Sequence, residues 1–410
     1  MRRKSNFISN ILGFLIILIF FVTIYFCLDI FGIISVPEKY SLTTYLAPFI
    51  GMEVSELSVS ADLEGIVTED TIDEWINAKP KVIDKKYEAD EDNSNQEVIS
   101  IINTTVGEQN QTKPAIYQND NVVNRLYFSQ LDVYGKLIYL QLIEHKDELI
   151  HGTYVADFGT DFNELLHQED GEETLENAFH LSLNSLMYDN PELFYIDITK
   201  MFMSTEITSF GPLKTYRVKI GPAENSNYLS NYFQDEQFVL EANNNLNKFR
   251  EEIASNFKSL SDYDKIDKIH TYLIENTKYD ESLSKSNIYN IYGALTDHIA
   301  VCEGYSKAMK YMLDAANVPC VIACGIAQNT SGQRESHAWN YVKIDGKWYA
   351  IDSTWDDPVI VGYGYVSSSI HTKYFLRGSN DFFKDHFEDG NIVCNSNFVY
   401  PTISEENYNR

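Results

Sequence analysis

The sequence predicts an α+β fold whose working part is a helix packed on an antiparallel sheet. Three observations carry this. Apolar residues recur at helical spacing through the stretch Leu131 to Leu273, and again after Cys302. A short apolar run, VPCVIACGIA, then reads as a buried strand. Asp345 and Gly346 sit between two alternating runs, a strong two-residue hairpin signal. Helices first and an antiparallel sheet later is the order of an α+β domain.

Taken from the start of the chain, residues 1–6 form a basic tail with Arg2, Arg3 and Lys4. Residues 7–29 follow as a hydrophobic segment, and Ile11 to Leu28 hold 18 residues without a charge. A bilayer core of about 30 Å needs roughly 20 mostly apolar residues, so this segment is expected to span as a transmembrane signal anchor. The basic side stays cytoplasmic, which puts the C-terminal bulk outside and the protein in the cell membrane as a single-pass species. A cleaved signal peptide is the competing reading; the hydrophobic run is long for one, and no small-x-small cleavage site is clear. Bulky Ile24, Tyr25 and Phe26 before Cys27 do not form a lipidation box. Residues 30–125 read as an extracytoplasmic stalk and linker, the part from Lys81 to Asn124 being too polar to bury much surface.

The main domain is expected over 126–402, with a helical part at 126–285 and a core at 286–402. Helices are expected from Ser129 to Glu144 and from Leu175 to Tyr188. FYIDITKMFM and KTYRVKI read as strands. Val239, Ala242, Leu246, Phe249 and Ile253 mark one further helix face, and Ile266, Ile269 and Leu273 the next. After Cys302 the stripe Ala308, Met309, Met312, Leu313 and Ala316 marks a helix that Asn317 and Pro319 end.

The hairpin fixes a register. If Asp345 and Gly346 form its loop, Ile344 pairs with Lys347, and His337 and Asp352 become diagonal neighbours on one face. Diagonal Cβ separations of about 7–8 Å are within reach of an imidazole and a carboxylate. Cys302 opens a helix, where the macrodipole favours a thiolate and first-turn amides can hold an oxyanion. A thiol, an imidazole and a carboxylate in that setting are what nucleophilic catalysis needs: Cys302 attacks, His337 moves the proton, and Asp352 fixes the tautomer of His337. Trp339 and Trp355 are pocket candidates beside them.

The stretch NIYGALTDHIAVCEGYSKAMKYML, with HAWNYVKIDGKWYAIDSTWDDP, resembles the transglutaminase-like superfamily in its bacterial surface-protein form. DNPELFYID, TKYD and HTKYFLRGSNDFFKDH also look like family features. The resemblance implies a papain-like core with Cys302, His337 and Asp352 as a triad, acting on protein or peptide amide bonds through a thioester. It adds Tyr292 as an oxyanion candidate. The substrate it implies is a protein or peptide, with the cell wall as one setting. The other function class is an inactive surface module that binds cell wall or protein through the same groove.

Plainer readings hold elsewhere. Cys320 and Cys324 are expected to be core residues; four positions along a strand span about 13 Å, too far for a disulfide. No second cysteine pair stands at zinc-ligand spacing, so no metal is expected. Asp356 and Asp357 read as turn caps before Pro358, and His371 as a loop residue. Net charge is 32 minus 60, or −28, which repels phosphate backbones and argues against nucleic acid as a partner. No glycine-rich phosphate loop is present, and nothing calls for a cofactor. The sequence leaves the oligomeric state open.

Overall fold

The computed structural model describes the backbone of Glu53–Ser60 and residues 125–410, apart from 211–212, 234, 284, 331, 358–371 and 391–397. The expected basic tail, membrane anchor and polar linker lie outside the described residues, as do His371 and Cys394. Among the described residues no helix is long and apolar enough to cross a membrane.

The chain divides into two compact units. Of the described residues, the first gathers Glu53–Ser60, Val155–Asn177 and Met201–Glu224. Its sheet has strands β1 (Glu53–Ser60), β2 (Ala156–Asp157), β3 (Met201–Phe210) and β4 (Leu213–Pro222), in the order β1-β3-β4-β2 with every pair antiparallel. Tyr216, Val218 and Ile220 alternate inward along β4, as the period of a half-buried strand requires. β1 falls in the segment expected as a stalk, and this sheet interrupts the span expected as one domain.

Of the described residues, the second unit gathers Arg125–Tyr154, Ala178–Lys200 and Asn225–Arg410. The helix expected from Ser129 is broken: a short helix at Leu126–Gln130 precedes α1 (Val133–Glu144). Asp132 is the reason, since its carboxylate accepts from the amide of Gly135 at 2.7 Å and starts α1 afresh. α2 runs Gly171–Asp189 and ends on a buried carboxylate. Asp189 accepts from the amides of Tyr127 (3.2 Å) and Phe128 (2.8 Å), so the DNPELFY stretch holds the first short helix in place. The FYID part of the expected strand is instead a turn, in which Asp197 accepts from the amide of Thr199 at 3.1 Å.

α3 (Glu236–Asn256) and α4 (Asp262–Asn276) start where Asp235 and Ser261 accept from amides two and three residues on. β5 (Lys278–Tyr279) and β6 (Ile299–Ala300) pair in parallel, and α5 (Cys302–Ala315) follows directly. α5 packs on the second sheet, formed by β7 (Cys320–Gln328), β8 (Arg334–Ile344), β9 (Lys347–Ile351) and β10 (His386–Glu388). Its order is β10-β7-β8-β9, antiparallel throughout. Trp339, Tyr341, Val321, Ile322 and Phe382 form the heart of that core, with Cys324 among them. Cys320 and Cys324 are both buried and unbridged, which is the core role expected of them.

Candidate active site

Cys302 is the first residue of α5 and is partly exposed. The preceding residue, Val301, is extended and offers no side-chain cap. The first amides of a helix have no carbonyl partner within it, so the turn bearing the thiol presents N–H groups and the positive end of the helix dipole. Three contacts seat that turn. The amide of Val301 donates to the Ile288 carbonyl at 3.1 Å. The Ser306 hydroxyl donates to the carbonyl of Cys302 at 2.9 Å, and the Asn340 amide donates to the carbonyl of Ser306 at 3.0 Å. Asn340 lies on β8, so it ties the thiol's helix to the strand that carries His337. Gly304 fits here because a Cβ would stand 2.3 Å from the Ile288 carbonyl oxygen.

The hairpin has the expected register, Ile344 opposite Lys347 through Asn340 opposite Ile351. Asp345 and Gly346 both take positive φ, 50° and 78°, as a tight hairpin turn demands. The chain leaves the ladder at Asp352, whose amide donates to the Tyr374 carbonyl at 3.2 Å. Its carboxylate turns back across the pair, and His337 donates from Nε2 to Asp352 Oδ2 at 2.8 Å. The other carboxylate oxygen accepts from the amides of Thr354 (2.9 Å) and Trp355 (3.2 Å).

An ionised carboxylate only accepts, so His337 Nε2 carries a proton, and a neutral ring then has Nδ1 free as a base. Both groups are buried. Burial works against the imidazolium of His337, but the Asp352 charge and hydrogen bond, joined by a hydrogen bond to the Cys302 thiol, hold the ring well above the usual histidine range. Burial likewise works against the Asp352 carboxylate, yet His337 and then His386 hold it below the usual range. The structure thus brings Cys302, His337 and Asp352 together.

The flanking candidates divide. The Trp355 ring lies 5.5 Å from that of His337, and the Trp339 ring 6.1 Å away. For Tyr292 the side-chain contacts shown are aromatic. Its ring packs in an aromatic cluster with Phe194, Tyr232, Phe233 and Phe238. Tyr279 and Tyr289 lie near enough to Cys302 to be influenced by it. Tyr279 belongs to TKYD and reaches this place because β5 pairs with β6, placing Tyr279 opposite Ala300.

Asp356 also differs from its expected role as a turn cap. It is fully buried, bonded to Nε2 of His270 at 3.0 Å, and accepts from the Tyr374 amide at 2.8 Å. Asp357 accepts from the Tyr305 hydroxyl. The sequence reasoning did not single out His386, the first residue of β10, whose Nε2 lies 3.1 Å from Asp352 Oδ2. His337, Asp352 and His386 place one donor atom each within 4.8 Å of one another, a set able to attract a cation. Their spacing is that of hydrogen bonds on one shared oxygen, at 2.8 and 3.1 Å.

Residues 251–353 match the profile of the Transglutaminase-like superfamily. The chain carries a transglutaminase-like domain. The chain is 32% identical over 97 residues to kyphoscoliosis peptidase of Mus musculus, and 31% identical over 97 residues to that of Homo sapiens. These alignments cover 22% of this chain and 14% of either peptidase. Among solved structures, a TGase is similar at 20% identity and a TM-score of 0.24, over 40% of this chain and 46% of that one. The matched transglutaminase-like segment includes Cys302, His337 and Asp352.

Proposed function

We propose that this protein is a cysteine acyltransferase or hydrolase acting on amide bonds of proteins or peptides, with Cys302, His337 and Asp352 as its triad. The observation that carries the reading is that Asp352 holds one nitrogen of the His337 ring at 2.8 Å, while Cys302, at the start of α5, is near enough to strengthen that ring's hold on its proton. The peptidase name of its curated relatives agrees with amide chemistry.

The steps follow from those positions. His337 takes the thiol proton, and the Cys302 sulfur attacks the substrate carbonyl. The carbonyl electrons move to oxygen, facing the first-turn amides of α5. As the tetrahedral intermediate collapses, the C–N bond breaks and His337 gives its proton to the leaving amine. A thioester remains on Cys302. Water or a second amine then attacks it, His337 takes the attacker's proton, and the C–S bond breaks to restore the thiol. Water makes the net reaction hydrolysis, and an amine makes it crosslinking. Asp352 holds the ring and its charge throughout.

The same proposal places the enzyme at a cell surface. The support is Arg2, Arg3 and Lys4 ahead of the uncharged run Ile11 to Leu28.

The test is an acyl-transfer assay on the full chain with glutamine-containing peptides, with and without a primary amine. Wild type should release ammonia or a cleaved amine, and Cys302→Ala should not. Amine incorporation selects crosslinking; product without incorporation selects hydrolysis. In parallel, iodoacetamide should label Cys302 far faster than Cys320 or Cys324, which are buried. Burial also pushes the Cys324 thiol up to about 12. Slow, equal labelling of all three would select the inactive surface module.

A further inference from the structure

His386 has no part in the triad above, yet it is the most tightly held ring beside it. It is fully buried. It stacks on Phe382 with centroids 4.1 Å apart, and meets Trp355 edgewise at 4.6 Å, Tyr374 at 5.2 Å and Trp339 at 5.3 Å. The aromatic walls hold the plane of the ring, and the two carboxylates stand at its two nitrogens. In it, Nδ1 lies 2.8 Å from Asp385 Oδ1 and Nε2 lies 3.1 Å from Asp352 Oδ2. Carboxylates accept and do not donate, so each of these bonds needs a hydrogen on the ring nitrogen. A neutral imidazole has one such hydrogen and this ring needs two.

We propose that His386 is a positioning residue: as an imidazolium spanning Asp385 and Asp352, it fixes the carboxylate that holds His337 and moderates that carboxylate's pull. The idea rests on the cysteine-enzyme reading only for its catalytic consequence; the charge state of His386 stands on its own geometry. Asp352 Oδ2 is shared between two rings whose centroids are 5.7 Å apart. A cation on His386 takes up part of the negative charge that would otherwise favour the imidazolium of His337. It also repels that imidazolium directly. The arrangement keeps His337 able to surrender its proton to the leaving amine.

The charged and titratable groups around the ring are few. His337 comes from β8, Asp352 from the end of β9, and Asp385 from the turn before β10. Tyr374 donates to Asp385 at 2.8 Å, and Lys373 adds a positive charge near the same carboxylate. Burial opposes the Asp385 charge, but its bonds to His386 and Tyr374 hold it below the usual carboxylate range, so it is an acceptor. Glu388 on β10 is taken by the Tyr341 hydroxyl.

Two measurements on the full chain test this. Nitrogen-15 NMR of the histidine rings, at neutral pH and in the Cys302→Ala background, should show both nitrogens of His386 protonated. A single protonated nitrogen overturns the proposal, whatever becomes of the enzyme reading. The second measurement is the pH profile of Cys302 alkylation by iodoacetamide. In His386→Gln, which keeps an N–H donor but has no charge, the alkaline limb should move to higher pH, since His337 gains a stronger hold on its proton. Asp385→Asn, which removes only the outer anchor, should move it the same way and serves if His386→Gln does not fold. Limbs that stay in place while the whole profile falls by one factor would mean a merely structural ring. A wild-type Cys302 no more reactive than Cys320 would sink the enzyme reading and leave the NMR result to decide the proposal.

Discussion

Asp352→Asn changes one oxygen to an amide nitrogen and leaves the shape of the site intact, so its effect isolates proton chemistry. The carboxylate accepts four hydrogen bonds: two imidazoles on Oδ2 and two backbone amides on Oδ1. Asparagine has one oxygen and must choose a side. If the oxygen stays on the amides of Thr354 and Trp355, its NH2 faces His337 Nε2 and also His386 Nε2–H, which loses its acceptor. The ring then accepts there and carries its proton on Nδ1, the nitrogen needed as base. If the amide flips to serve the rings, two buried N–H groups meet another donor. The flipped form leaves two such donors unsatisfied and the other form leaves one, at His386; at about 1–3 kcal/mol each, the flipped, competent form is roughly 1–3 kcal/mol uphill. At about 1.4 kcal/mol per tenfold, its population falls roughly 5- to 140-fold. The assay is alkylation of Cys302 at neutral pH, followed by acyl transfer, with a melting curve to confirm folding. A folded Asp352→Asn that keeps a third of wild-type reactivity would refute the tautomer argument.

Two other expectations follow from the same contacts. Gly304→Ala puts a methyl 2.3 Å from the Ile288 carbonyl oxygen, which should cost about 1–3 kcal/mol in a thermal melt and slow Cys302 alkylation as the helix start shifts; an unchanged melting temperature would contradict the tight seat. Asp189 is pushed up to about 7 by burial, despite the opposing charge of Lys310, so the folded chain holds a proton that the unfolded chain releases near 3.8. The stability this gives is full below the unfolded value and is lost as pH rises toward 7, by up to a few kcal/mol. Asp189→Asn should flatten that fall in urea melts between pH 4 and 7, and an unaltered slope would rule Asp189 out as its source.

What could be read from the sequence, and what could not, follows the range of the forces involved. The hairpin was legible because an Asp-Gly turn and a period of two fix a register locally, and that register alone brings His337 to Asp352. The helix after Cys302 was legible from its apolar stripe, and its end from Asn317, which takes φ of 57°. His386 was not legible, because it reaches Asp352 only by a three-residue strand pairing on β7, 34 residues further along the chain. Three residues have too short a period to announce a strand. Asp356 misled for a related reason: beside Asp357 and Pro358 it has the local chemistry of a turn, and its partner His270 is 86 residues away on α4. Asp132 shows the opposite case, a local cap that apolar periodicity overlooked because Leu131 and Tyr134 keep the stripe running across the break. The pair that makes a base of His337 is therefore written in neighbouring strands. The groups that tune the pair come from distant segments, and the sequence motif cannot report how strongly the thiol is activated; only the reactivity of Cys302 across pH can.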